Sequence, residues 1–247
     1  MNDYEDLQSP GWYGKIPSLG DFITRRLPSS FIDPWDTWLQ RAISLSRAQL
    51  GEQWLNLYLV CPLWRFILMP GICGNSLWMG VLMPSIDKVG RYFPLTIAAQ
   101  ARPHSSALFT AISAHSWYAS LEQLALTSLD VNLSLEVLDQ KLRHHPFPHF
   151  QPGDQSHSAQ ELASWWTIKP QTGLMGHKTV TLTTVDSLSG QFEAAAKNIF
   201  MTIGEGKSLW WKVSQAISME EETTQLHCFT GLPPENCFVL LLGHDAL

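Results

Sequence analysis

Two early segments of the chain carry charged side chains that could bind a partner or serve a reaction. One surrounds a Pro-Ser-Leu-Gly turn and the other a Pro-Ser-Ile-Asp turn. Their ionisable residues are Lys15, Asp21, Arg25, Arg26, Asp87, Lys88 and Arg91. If both loops lie at one end of a sheet, Asp21 and Arg91 could form an ion pair. Charges on loops serve equally well to brace two loops and to orient a partner, so both roles stay open at this point.

The glycines of residues 14–21 (GKIPSLGD) superficially resemble a phosphate-binding loop, but the chemistry does not fit. A Walker loop needs Lys and then Ser or Thr after its second glycine, to meet phosphate and magnesium. Here Asp21 follows that glycine, and Pro17 removes one of the backbone N–H groups that would cradle the phosphate. We therefore reject a phosphate loop at this segment.

Histidines and cysteines offer no recognisable metal or nucleophile site. Four histidines, His144, His145, His149 and His157, lie in the Pro-rich segment 144–158, with no Cys or carboxylate at a metal-site interval. Structural zinc sites need closely spaced ligands on an ordered frame, so we interpret this segment as an exposed loop and expect neither metal nor cofactor. The sequence also contains no G-x-S-x-G, H-E-x-x-H or S-x-x-K motif.

Composition limits the classes of partner and the compartment. The 247 residues carry a net charge of −6, and the longest basic run is the pair Arg25-Arg26, so nucleic acid and anionic membranes are poor candidates as partners. Residues 103–129 contain a single charged residue but too many Ser, Thr and His for a bilayer span. The four cysteines lack CxxC spacing and the first residues lack an apolar signal region, so we expect reduced thiols and a cytoplasmic location.

Hydrophobic periodicity predicts a sheet with two central strands. Residues 77–83 form an apolar run typical of a strand buried on both faces, and residues 95–101 alternate, so we expect the two to pair as antiparallel neighbours. Further strands are predicted at residues 11–16, 22–27, 63–68, 179–185, 199–203, 209–213 and 225–229.

Helices are predicted from apolar spacing and end signals. In the first, Asp33 is the expected N-cap, Pro34 the first helical residue and Gly51 the stop. One long helix is predicted at residues 106–129, with others at 133–142, at 159–166 and from Pro233, while residues 54–60 fit either helix or strand. Because strands and helices do not alternate regularly, we expect the α+β class (mixed α/β), with an antiparallel or mixed sheet flanked by helices.

Several of these stretches, in this order, resemble the TagF/ImpM family of type VI secretion-associated proteins. The matching motifs are GWYGKIPSLGDFITRRLP, DPWDTWLQ, PLWRFILMPG, GVLMPSIDKVGRYFPLT, SLWW and GLPP. The resemblance is dense over residues 11–101, sparse over 102–207 and weak over 208–234. It implies a longin-like domain: an antiparallel sheet with helices packed on it.

The resemblance further implies a cytoplasmic, non-enzymatic accessory of the secretion apparatus that acts as a post-translational brake. Its partner would be the forkhead-associated (FHA) scaffold protein of the apparatus, in some bacteria alongside a threonine kinase and phosphatase pathway. The family supplies no catalytic residues, and we carry over no phosphatase activity from relatives fused to a phosphatase domain.

We therefore expect one domain over residues 1–247, with a core at 10–143, an exposed loop at 144–158 and a C-terminal elaboration at 159–247. The expected partner surface comprises the loops at 17–26 and 85–92, with contact residues Lys15, Asp21, Arg25, Arg26, Asp87, Arg91 and Tyr92. The rival hypotheses are a structural subunit of the apparatus, or an enzyme or small-molecule sensor. The latter would use a pocket lined by Trp64, Trp78, Arg65 and a Cys–His pair.

Overall fold

The computed structural model describes residues 9–101, 104, 106–148, 157–167, 188–212 and 225–243. Its strands are β1 (Gly11–Gly14), β2 (Ile23–Arg25), β3 (Trp64–Leu68), β4 (Trp78–Met83), β5 (Leu95–Gln100), β6 (Lys207–Trp211) and β7 (Leu226–Thr230). Its α-helices are α1 (Ser29–Leu50), α2 (Trp54–Val60), α3 (Ala107–Ser113), α4 (His115–Thr127), α5 (Leu135–Arg143), α6 (His157–Thr167), α7 (Leu188–Ile203) and α8 (Phe238–Leu241).

All seven strands join one sheet in the order β2-β1-β5-β4-β3-β6-β7, and every neighbouring pair is antiparallel. The expected α+β class is confirmed, and the sheet is compatible with the longin-like fold that the resemblance implies. The predicted pairing of the two central strands is also confirmed, with Met83 opposite Leu95 and Trp78 opposite Gln100. Glycine is needed at position 80, because a Cβ there would meet the Ile97 carbonyl oxygen and lie 2.8 Å from Phe66 Cζ.

Each face of the sheet is covered by helices, so the chain has two apolar layers. On one face α1 packs the side chains of Trp35, Trp38, Leu39, Ala42 and Ile43 against the even-numbered residues of β3 and β4, together with α2 and α8. On the other face α3, α4 and α5 cover the odd-numbered residues of β4 and β5. Burial on both faces explains why β4 reads as an uninterrupted apolar run.

Helix α1 begins at Ser29, five residues before the predicted first helical residue, Pro34. Asp33 is therefore not its N-cap, and Pro34 lies inside the helix, where it lacks only the N–H that would bond to the Ser30 carbonyl. The earlier start buries Phe31, whose ring stacks at 5.2 Å on that of Trp35. The predicted stop at Gly51 is confirmed: its φ is +52°, and its N–H donates to the Arg47 carbonyl.

Three other predictions change in the structure. The single helix predicted at 106–129 is two helices, because Ala114 leaves helical geometry with ψ at 44°, and neither Gly nor Pro marks that break in the sequence. The ambiguous residues 54–60 form helix α2. The strand predicted at 199–203 is wrong: this apolar run is the end of α7, where the Phe200 ring meets that of Phe109. The strand predicted at 179–185 lies outside the described residues.

Candidate functional site

The two charged loops lie against each other at one end of the sheet. The Lys88 N–H donates to the Leu19 carbonyl at 2.8 Å, and the Arg91 guanidinium donates to the Gly20 carbonyl. Lys15 Nζ, just before the first loop, donates to Asp87 Oδ2 in the second at 2.9 Å. The spatial proximity on which the predicted partner surface depends is therefore present.

Asp87 is the centre of this loop packing. Its Oδ1 accepts the backbone N–H groups of Val89 and Arg91, and its Oδ2 accepts Lys15 Nζ and, at 2.7 Å, Arg91 Nε. The residue is only 3% exposed, yet it lies between two cations. Burial acts to raise the pKa of Asp87, but the hydrogen bonds from Arg91, Lys15 and Val89 outweigh it and hold that pKa well below the usual range of an aspartate.

The hypothetical ion pair between Asp21 and Arg91 does not form. Arg91 is already engaged by Asp87, four residues earlier on the same turn, and by the Gly20 carbonyl. Asp21 instead accepts the N–H of Phe22 at 2.8 Å. A side chain within the same tight turn reaches Arg91 with less chain ordering than one across the loop interface, which explains why Asp87 takes this partner.

Besides Asp87, two more of the predicted contact residues are engaged inside the protein. Lys15 is 5% exposed and pairs with Asp87. Arg26 has a positive φ of 56°, and its Nη1 bonds to Asp139 Oδ1 of helix α5 at 2.5 Å while its Nε donates to the Pro10 carbonyl. The side chains of both residues therefore brace the loops and strand β2 from within.

Arg25 and Tyr92 lie beside the packed loops rather than on their outer surface. Arg25 is exposed but stands opposite Trp12 in the β1–β2 pair, on the face covered by α3 to α5, where its charge acts on Glu136. Tyr92 is half-buried, with its ring edge against those of Trp54 and Tyr58 at 5.9 and 5.6 Å. It anchors the base of the second loop against helix α2.

Two exposed apolar side chains that are not among the predicted contact residues complete the outer surface. Phe22 is 44% exposed, with its ring 4.8 Å from that of Phe93 and from Lys15 Nζ, and Val89 is 68% exposed. In the sequence, the signal for such a surface was an apolar side chain among turn-forming and charged residues. We call the surface formed by Asp21, Phe22, Lys88, Val89 and Arg91 the loop platform.

The structure argues against the alternative pocket. Trp64 and Trp78 are 1% and 3% exposed in the core under α1, whereas Arg65 points to the opposite face and is held by Glu122, so the three side chains cannot line one cleft. Burial raises the pKa of the Cys61 and Cys73 thiols to about 12, which leaves them protonated and unreactive at neutral pH.

The histidine-rich segment is only partly within the described residues. His144 is exposed, with Nδ1 2.7 Å from the Gln140 carbonyl oxygen, whereas His149 and the side chain of His157 fall outside the description. Among the described residues, no three His, Cys, Asp or Glu side chains are grouped so as to hold a metal ion. Within the same part of the chain, none of the helices combines the length and apolar character needed to cross a bilayer.

The depressed pKa of Asp87 predicts an acid-sensitive link between the loops. The stability contributed by ionised Asp87 is fully present above the unfolded-state pKa of about 4 and is lost as the pH falls below it, toward the folded-state pKa. Urea unfolding of the parent chain and of Asp87→Asn, from about pH 7 to pH 3, should show a stability difference that narrows below about pH 4. A difference that is constant across this range would contradict the assignment.

Comparison with known proteins agrees with this architecture. The family model for the TagF N-terminal domain, described as type VI secretion system-associated, matches residues 11–145. The crystal structure of PA0076 from Pseudomonas aeruginosa PAO1 has a TM-score of 0.70 and 33% sequence identity, over 97% of this chain and 96% of that one. No curated protein matches the chain. The family match spans more than half of the sequence, and the chain therefore belongs to the TagF family of type VI secretion system-associated proteins.

Proposed function

We propose that this type VI secretion accessory acts in the cytoplasm as a post-translational repressor, by binding and sequestering the FHA scaffold protein of the apparatus. The observation that carries the proposal is the loop platform. It presents two exposed apolar side chains, Phe22 and Val89, on two loops tied together by the buried Asp87 network. Membership of the TagF family supports a role in the type VI secretion system, and the loop platform supplies a surface on which such a partner can bind.

The composition of the platform suits protein recognition. It combines two exposed apolar side chains, Phe22 and Val89, with three exposed charged ones, Asp21, Lys88 and Arg91, and interfaces likewise combine apolar core residues with a polar rim. Two of the three rim charges are positive, so the complementary patch on the scaffold protein should be acidic.

Because of the buried network, this surface would lose little conformational entropy on binding. Asp87 fixes its own loop through two backbone N–H groups and joins the first loop through Lys15. A partner then meets loops that already have their bound geometry, and little conformational entropy is lost on association. In this proposal Lys15, Arg26 and Asp87 position the surface, and Arg25 and Tyr92 flank it.

Sequestration requires neither a catalytic group nor a cofactor. A scaffold protein occupied by this chain would be unavailable to the components it organises, and repression would follow from the concentrations and the dissociation constant. The high pKa values of the Cys61 and Cys73 thiols agree with a binding role, because neither thiol is prepared as a nucleophile.

Val89→Asp tests the proposal without removing any side-chain contact of the buried network. We expect calorimetric titration with the purified FHA scaffold protein from the same gene cluster to show saturable binding, weakened about 30-fold or more by Val89→Asp, because a carboxylate would be buried against the partner. The matched control is Val131→Asp, since Val131 is 63% exposed in the connection between α4 and α5 and is not a residue of the loop platform. It should bind like the parent chain.

Circular dichroism and thermal melting establish that both variants are folded before titration. Equal weakening by the two aspartates would indicate a general charge effect and would remove the platform from the interface. Absence of binding by the folded parent chain would contradict sequestration of this scaffold protein altogether.

A further inference from the structure

Among the strands that the structure describes, β2 and β7 are the two edges of the sheet, and they differ in how they are protected. Open strand edges invite pairing with other chains, and proteins usually block them with short strands, charges, prolines or irregular backbone. Edge strand β2 has only three residues, contains Arg25, and is followed by Arg26 with its positive φ. Edge strand β7 has five residues, Leu-His-Cys-Phe-Thr, with no formally charged side chain and no proline, in unbroken register with β6.

The outer side of β7 presents a regular row of backbone hydrogen-bonding groups. The Gly231 N–H donates to the Gly206 carbonyl at 2.6 Å, and bonded positions alternate along an antiparallel pair. His227 and Phe229 therefore turn their backbone groups toward β6, while those of Leu226, Cys228 and Thr230 point away from it. Leu226 is 57% exposed, and no described residue bonds to the outward N–H or C=O groups of these three positions.

We propose that the outer edge of β7 pairs with the same edge of a second copy of this chain, so that two seven-stranded sheets join across a twofold axis. The axis would pass beside Cys228, which would face its own counterpart. Leu226 would then lie opposite the partner subunit's Thr230, and each of these pairs would be a doubly hydrogen-bonded antiparallel pair. This inference does not depend on the proposed binding of the scaffold protein.

The side chains of β7 favour pairing with itself over pairing with a charged peptide. In this register His227 faces the partner's Phe229, and aromatic pairs directly across two strands are stabilising. The His227 and Phe229 rings of one chain already lie parallel, 6.4 Å apart, so the joined strands would extend one stack of rings. No like charges meet across the axis, and the strand carries no fixed charge with which to select an oppositely charged peptide.

A proline at position 228 is the decisive variant. Because the Cys228 N–H points outward, Cys228→Pro removes two of the intersubunit hydrogen bonds, one for each copy, without removing a bond of the β6–β7 ladder. Cys228→Ser keeps the N–H and is the matched control. Circular dichroism and thermal melting establish that both variants retain the fold.

Sedimentation equilibrium in the presence of a reductant then measures the oligomeric state over a range of micromolar concentrations. We expect a concentration-dependent dimer for the parent chain and for Cys228→Ser, and a monomer for Cys228→Pro. A short thiol cross-linker should join two copies through Cys228 in a background that carries Cys61→Ser and Cys237→Ser, since Cys61 and Cys237 are partly exposed and Cys73 is buried. A parent chain that stays monomeric throughout, or a dimer that persists in Cys228→Pro, would overturn the proposal.

Discussion

Replacing Glu122 with alanine should lower the free energy of unfolding by about 3–5 kcal/mol, because it leaves the buried Arg65 guanidinium without its counter-charge. Arg65 is 5% exposed on strand β3, and its Nε and Nη2 donate to the two carboxylate oxygens of Glu122 on helix α4 at 2.6 and 2.8 Å. The guanidinium also lies 5.4 Å from the centre of the Tyr118 ring. This two-point ion pair fixes α4 to the centre of the sheet.

Thermal melting and urea unfolding measure the effect. For a domain of this size the loss corresponds to a melting temperature lowered by about 10 °C. Glu122→Gln keeps one acceptor oxygen and should lower the free energy of unfolding by less. The double variant Arg65→Met with Glu122→Leu removes both charges, and its free energy of unfolding should return most of the way to that of the parent chain. If Glu122→Ala alone left the free energy of unfolding nearly unchanged, the Arg65 guanidinium would have to be hydrated in solution, contrary to its burial in the structure.

The sheet centre could be predicted because burial on both faces leaves a simple signal. The run at β4 contains only apolar residues and glycine, and the alternation at β5 fixes which of its residues share a face. The tryptophans were harder to interpret, since a sequence does not distinguish core tryptophans from those of a binding surface. The structure places Trp35, Trp38 and Trp210 in one core. Their indole N–H groups donate to Thr96 Oγ1, the Pro233 carbonyl and Ser208 Oγ, respectively.

Element ends and breaks were missed where tertiary packing outweighs local preference. Asp33 and Pro34 form a good helix start by local rules, but the burial of Phe31 extends α1 toward the N-terminus. The break at Ala114 has no local signal, because alanine favours a helix more than any other residue. The apolar run at 199–203 was too short for its period to separate strand from helix.

The candidate site was predictable as two loops but not as a set of contacts. The charged residues identify the loops, whereas the face on which each side chain lies depends on strand register. Register places Arg25 opposite Trp12, away from the platform, and it leaves Phe22 exposed beside Phe93. A one-residue change of register would reverse these faces, which is why spacing alone could not assign them.

Reversing the charge of Arg91 should weaken binding to the FHA scaffold protein by about 100-fold, the largest effect expected for a single platform residue. The Arg91 side chain is 56% exposed, and its guanidinium both reaches the platform surface and bonds to Asp87 and to the Gly20 carbonyl. Glutamate at this position would place a second carboxylate beside buried Asp87, remove the bond to the Gly20 carbonyl of the first loop, and remove a cation from the rim. Calorimetric titration of the folded variant measures the loss.

Lys88→Glu is the matched control for this charge reversal, because it makes the same change in net charge on the same turn at an exposed position. If Arg91 acts through its fixed geometry, Lys88→Glu should weaken binding by only about 5-fold, and added salt should reduce that effect, as expected for a rim charge. Arg91→Lys should fall between the two, since a lysine keeps the charge but cannot donate to Asp87 and to Gly20 in the same planar arrangement. Equal losses for both glutamate variants would show that long-range charge attracts the scaffold protein without a preformed platform. Unchanged affinity of folded Arg91→Glu would show that the scaffold protein binds elsewhere on the molecule.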